Sequence, residues 1–272
     1  MSEYMHAALL GLLQGLTEFL PVSSSGHLAL ARTLFSVENA SLTYDVLLHF
    51  ATMLATLVYF GADIVRLLRE WFAGFLSSEE RGEGWYTGWA VLAGTLSTAV
   101  VALPLKPVVV RMGSIPGAVG AGLMLTSLLL WRATSPTFRR PSEERSISPL
   151  LGMLIGVVQG VAVLPGVSRS GSTIFAGLRA GLPPERAFRF SFLMSIPAVL
   201  GATLLEARGL LAMSDWNSSL PAGWQVGMII SFAAGLCSLV LLRRVSAAGR
   251  WRPFAVYCAL AGALSITLSL VR

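Results

Sequence analysis

Apolar residues run along this chain in long blocks that polar residues interrupt only at intervals. Crossing a hydrocarbon core of roughly 30 Å takes about 20 apolar residues. Six blocks meet that need, near 44–66, 85–104, 115–132, 187–206, 223–243 and 252–271. Two more apolar segments, near 5–36 and 147–182, are broken midway by Pro, Gly and Ser. Pro21 lacks an N–H and pushes Leu20 toward extended geometry, so a helix cannot run through it. The pattern predicts an all-α fold: a polytopic membrane helix bundle of about six spanning helices plus two re-entrant helix-turn-helix segments. Broken backbone at membrane depth has to be buried in protein or line a wet cavity.

The two broken segments are copies of one unit. Gln14-Gly15-Leu16-Thr17-Glu18-Phe19-Leu20-Pro21-Val22-Ser23-Ser24-Ser25-Gly26-His27 aligns without a gap to the stretch 145 positions later, Gln159 to Ser172. The copies differ where chemistry is richest. The first holds Glu18 and His27 against Val163 and Ser172; the second holds Arg169 against Ser24. A carboxylate and an imidazole in one half, and a guanidinium in the other, suggest one site assembled from both.

Charge placement orients the copies. Charged residues make up only 12% of the chain, against 54% hydrophobic, and mean hydropathy is +0.70. The net charge of +6 does not form a nucleic-acid-binding stripe. Arg66 and Arg69, Arg139 and Arg140, Arg243 and Arg244, and Arg250 and Arg252 flank spans instead. Basic flanks lie on the cytoplasmic side. The connections near 67–84, 133–146 and 244–251 are therefore predicted inside. The connection near 207–222, with Glu206, Arg208 and Asp215, and both termini are predicted outside. One copy then enters from outside and the other from inside. This makes a single domain of two inverted-topology repeats, about 1–132 and about 147–272, joined by a cytoplasmic connection at about 133–146. Sites in such folds tend to sit between the repeats at discontinuous helices. The N-terminus lacks a basic region and a cleavage site and is expected to be retained.

Gln14 and Glu18 share a helical face four residues apart. Ser23-Ser24-Ser25-Gly26 is turn and cap composition, with a second helix expected from near His27. Ser168-Arg169-Ser170-Gly171-Ser172-Thr173 repeats that logic. Helix-start N–H groups among hydroxyls and glycines form an anion site, and Arg169 adds a planar fork suited to phosphate oxygens. Candidate phosphate contacts at these helix starts are Ser23, Ser25, Gly26, Ser168, Ser170, Gly171 and Thr173. Phosphoryl transfer also needs a nucleophile and a proton acceptor. Ser24 or water can be the former; His27 or Glu18 can be the latter. Gln14 and Glu18 could hold Mg²⁺ or Ca²⁺ through oxygen, partly by way of substrate phosphates. His6 and His49 are assigned to interface or packing, Asp45 and Asp63 to solvated span ends, and Cys237 and Cys258 to small core positions.

These residues resemble a known family. Gln14-x-x-x-Glu18 with the run from Phe19 to His27, and Pro165-Gly166-Val167-Ser168-Arg169-Ser170-Gly171-Ser172-Thr173, are similar to the two signatures of undecaprenyl-diphosphate phosphatases of the bacitracin-resistance type. The resemblance implies hydrolysis of undecaprenyl diphosphate to undecaprenyl phosphate and inorganic phosphate, recycling the lipid carrier of cell-wall synthesis. It implies a divalent cation, and a site open to the external face of the bacterial cytoplasmic membrane. Glu18, His27 and Arg169 would be catalytic, with Ser24 as nucleophile, and the candidate phosphate contacts would be contacts to the diphosphate. Many members of that family carry Glu where this chain has Gln14, which concentrates any base role on Glu18. The partners are then a polyprenyl diphosphate and the bilayer, not nucleic acid; the oligomeric state stays open, with a homodimer as one option. The rival reading is an inverted-repeat transporter or flippase for a phosphorylated polyprenyl lipid, and a non-catalytic scaffold is a third.

Overall fold

A computed structural model describes residues 3–35, 42–135, 146–211 and 220–271. Its described residues form eleven α-helices and no strand. The first broken segment folds as α1 (Glu3–Phe19) and α2 (Ser24–Phe35). Then come α3 (Leu42–Tyr59), α4 (Gly61–Leu76), α5 (Glu83–Gly113) and α6 (Pro116–Ala133). The second broken segment is α7 (Pro149–Val161) and α8 (Arg169–Arg179), followed by α9 (Pro184–Leu211), α10 (Trp224–Ala248) and α11 (Arg252–Val271).

Among the described residues four helices are long and apolar enough to cross a membrane: α5, α9, α10 and α11. The expected span 44–66 is instead a pair, α3 and α4, bent by 68°; counting the pair as one span gives five, against the six expected. The bend sits at Phe60, whose ring turns inward against Phe188 and Phe192. Beyond it Asp63, Arg66, Arg69 and Glu70 follow within ten residues, which no straight span could leave unpaired in hydrocarbon. The block 115–132 is a helix as expected, α6, though not among the four. At 31 residues α5 is about 46 Å long at 1.5 Å per residue, more than the core thickness. Its Leu96 and Val100 are about two-thirds exposed, as lipid-facing side chains are.

Glycines set how the helices meet. On α7, a Cβ at Gly152 or Gly156 would strike the backbone of Ala90 or Gly94 on α5. On α1, a Cβ at Gly11 or Gly15 would strike Gly227 or Ser231 on α10. Gly11 and Gly15 are the positions that align with Gly156 and Gly160, so both copies use the same four-residue stripe for close approach. Likewise α6 lies against α11, Gly120 over Gly262.

One end of the bundle is laced by charge. Asp63 accepts from Arg189 at 2.8 Å, Arg189 also donates to Glu185 at 3.1 Å, and Glu185 lies 2.9 Å from Arg243. Glu83 pairs with Arg186. Asp63 is thus a structural ion-pair partner and not the solvated end group expected. Cys258 is buried as expected, but Cys237 is exposed on α10. Arg139, Arg140 and Asp215 lie outside the described residues.

Candidate active site

Each broken segment turns and restarts a helix with a serine cap. Ser23 Oγ accepts from Gly26 N at 3.3 Å and opens α2; Ser168 Oγ accepts from Gly171 N at 3.1 Å and opens α8. Helix α2 therefore begins at Ser24, three residues before the expected start near His27. The turns differ in where the left-handed residue falls. In the second copy it is Gly166, at φ 87°; in the first it is Ser23, at φ 70°.

The two turns press on each other through equivalent positions. A Cβ on Gly26 would come 3.1 Å from Gly166 Cα, and one on Gly171 would come 3.2 Å from Pro21 Cβ. Ser170 Oγ donates to Phe19 O at 2.8 Å, joining the copies directly. Behind them, Thr126 of α6 donates to Gly166 O at 2.9 Å, while Cys258 of α11 lies 3.6 Å from Pro21 O. Pro21 and Gly166 align in the repeat, so each turn is held by the same kind of strut.

Glu18 is where the halves meet. Its Oε1 accepts from Arg169 Nη2 at 2.7 Å. Its Oε2 accepts from Ser24 Oγ at 2.7 Å and from Gln14 Nε2 at 3.1 Å, with His49 Nε2 3.8 Å away. A cavity of about 390 Å³ opens beside this cluster. Glu18, Ser23, Ser24, Ser25, His49, Ser168 and Arg169 line its polar end, and Gln159 and Thr98 stand nearby. Ala99, Ala102 and Leu103 of α5, and Ala198, Ala202 and Leu205 of α9, line the rest. The positive ends of α2 and α8 both start at the polar end, where an anion is favoured.

The expected residues divide into four groups. Glu18, Ser24 and Arg169 come together, and Ser23, Ser25 and Ser168 line the same cavity. Gly26, Ser170 and Gly171 serve the contact between turns. Thr173 points at α9, its Oγ1 2.6 Å from Ser191 Oγ. His27 stands apart: Nδ1 is 2.8 Å from Ser23 O and Nε2 is 2.7 Å from Tyr257 Oη, so neither nitrogen faces Ser24. Conversely His49, assigned to packing, stands in the cavity wall. Asp45, His49, Thr52 and Thr56 recur at helical spacing on an otherwise apolar stretch, and that polar stripe was the signal for it. Gln159, the copy of Gln14, was missed for want of a charge.

Gln14 Oε1 is buried with no hydrogen-bond partner. Among the described residues no three His, Cys, Asp or Glu side chains gather as a metal cluster. Gln14 is fully buried and off the cavity lining, so a hard cation shared with substrate oxygens would meet the protein at Glu18.

Known proteins are similar to this chain along nearly its whole length. A protein named undecaprenyl-diphosphatase from Desulfosudis oleivorans is 39% identical over 98% of this chain and 99% of its own. One of the same name from Syntrophotalea carbinolica is 38% identical over 98% and 99%. Another, from Methanosphaera stadtmanae, is 34% identical over the full length of both. The family model described as bacitracin resistance protein BacA matches residues 7–264, which takes in both turns and every helix that lines the cavity. With its paired Glu18 and Arg169 inside that match, this chain belongs to the BacA family.

Proposed function

We propose that this protein hydrolyses undecaprenyl diphosphate to undecaprenyl phosphate and inorganic phosphate. The observation that carries the reading is a cavity with Ser24 and Arg169 both bonded to Glu18 at one end and small apolar side chains along the other. A diphosphate suits the first and a polyprenyl tail the second. The relatives named above are undecaprenyl-diphosphatases.

In the mechanism this supports, the terminal phosphate enters between Ser24 and Arg169. Ser24 Oγ attacks the terminal phosphorus while its proton passes to Glu18 Oε2, already its acceptor at 2.7 Å. The bond from that phosphorus to the bridging oxygen breaks, and polyprenyl phosphate leaves with the electron pair. Guanidinium donors and the two helix starts stabilise charge on the equatorial oxygens. Glu18 passes that proton to the departing phosphate. Water then attacks the phosphorus of the phosphoserine, Glu18 takes the water's proton, the P–Oγ bond breaks, and the proton returns to Ser24 Oγ as inorganic phosphate departs. Direct attack by water held at Glu18 is the alternative route. A bound Mg²⁺ or Ca²⁺ would be held at Glu18, with Gln14 behind it, and would offset the diphosphate's negative charge.

The two copies are read as inverted repeats. The pairs α1 with α10 and α7 with α5 exchange when the copies exchange, and α6 with α11 maps onto itself, which supports the reading. The cavity is assigned to the external face of the cytoplasmic membrane and the ion-pair end to the cytoplasm, following the basic flanks. The transporter reading has less support, since a carrier gains nothing from a serine hydroxyl aimed at a carboxylate.

Phosphate release from a polyprenyl diphosphate by purified protein in detergent, with and without chelator, is the test. Turnover should be chelator-sensitive. Full turnover by Arg169→Ala would remove this reading.

A further inference from the structure

The strained residue of the first turn and the histidine four residues later belong to one device. A serine in left-handed conformation is disfavoured because its Cβ crowds the following carbonyl, and such residues persist only where the surroundings over-determine them. Ser23, at φ 70°, has that support. Its carbonyl accepts from His27 N at 3.2 Å and contacts His27 Nδ1 at 2.8 Å. A carbonyl only accepts, so Nδ1 carries the proton. Nε2 of the neutral ring is then an acceptor, and Tyr257 Oη, 2.7 Å away, donates to it. The rings lie within 7° of parallel with centroids 5.5 Å apart.

The second copy is the internal control. There the left-handed residue is Gly166, which carries no Cβ, and Ser168 at the position of Ser23 has φ −77°. The residue in the place of His27 is Ser172, whose buried Oγ has no hydrogen-bond partner. Where the turn is unstrained, the clamp is missing. Resting on the phosphatase reading above, we propose that His27 is a positioning residue and not the proton acceptor. His27 and Tyr257 of α11 form a clamp that holds the Ser23 turn, so that Ser24 Oγ meets Glu18. Tyr257 is thereby a further positioning residue for the reaction.

Amide isosteres separate the two roles. Asn places its NH₂ near the position of His Nδ1 and keeps the Ser23 contact; Gln places it near Nε2 and loses that contact. With a polyprenyl diphosphate in detergent, His27→Asn should keep kcat within about tenfold of the wild type, while His27→Gln and His27→Ala lose about a hundredfold. The shape of the kcat–pH profile should be unchanged in His27→Asn. Tyr257→Phe should lower kcat several-fold alone and add nothing in the His27→Asn background. Melting temperature in detergent should follow the same order, Asn above Gln and Ala, and reads the clamp without turnover. Equal losses of about a hundredfold or more in Asn and Gln, with equal melting temperatures, would overturn the proposal. Absence of any phosphate release from the wild type would instead strike at the phosphatase reading, leaving the melting order to judge the clamp.

Discussion

Arg169 Nη2 donates to Glu18 Oε1 at 2.7 Å although 151 residues separate them. Both side chains are largely withdrawn from the surface, Glu18 at 9% and Arg169 at 20% exposure. Removing one member of such a pair leaves an uncompensated charge and typically costs about 3–5 kcal/mol, whereas removing both costs far less. The pair therefore ties the two copies together as well as presenting a cation to substrate.

Arg169→Ala should lose at least about 10³-fold in kcat/KM, on the scale of losing fixed donors to a developing anion. It should also melt earlier. Adding Glu18→Gln to it should return much of the lost melting temperature but none of the phosphate release. Recovery of activity by that double variant would show that Arg169 only neutralises Glu18.

Ser24→Ala should fall by at least about 10³-fold in kcat, as nucleophile deletions do. Rapid quench of the wild type should show a phosphate mass added at the Ser24 peptide. Brisk hydrolysis by Ser24→Ala with no such adduct would hand the attack to water.

Ala102 belongs to the apolar wall. Ala102→Phe should raise KM for a long polyprenyl diphosphate by about tenfold or more, since a filled methylene site costs about 1–3 kcal/mol. A short-chain diphosphate should be hydrolysed with kcat and KM nearly unchanged. Equal effects on both would move the tail elsewhere.

Gly166 combines φ 87° with a Cβ position that strikes Val119 O. Gly166→Ala should destabilise by about 2–5 kcal/mol, overpacking adding to left-handed strain, and show it as a lower melting temperature in detergent. Gly61→Ala, whose Cβ would meet nothing within 4 Å, should not.

Much of the molecule was legible because its physics is local. A run of apolar residues commits to helix wherever no water can satisfy its backbone. Pro21 and Pro165 must interrupt such a run. A cluster of serines before a helix start is cap composition whatever lies around, so a capped restart after each turn was legible, though not which serine makes the cap. The division of Glu18 and Arg169 between two copies pointed to one shared site. The bend at Phe60 was hidden, because Asp63, Arg66 and Arg69 read equally well as the flank of a straight span, and only the packing of the ring against Phe188 and Phe192 turns the chain there.

The distribution of roles within the motifs was decided in three dimensions. Gly26, Gly171 and Thr173 sit in the same short runs as the cavity residues, yet they face a turn or α9, because a helix start sends successive side chains in different directions. His27 looked like a base by its company in the chain. Its nitrogens are taken up by Ser23 and by Tyr257, a residue 230 positions away. His49 looked like packing, and the docking of α3 beside α1 brings it to Glu18. Patterning along a chain sets which residues are helical and buried; which atoms touch depends on how the helices are rotated against each other, and that follows only from packing the whole bundle.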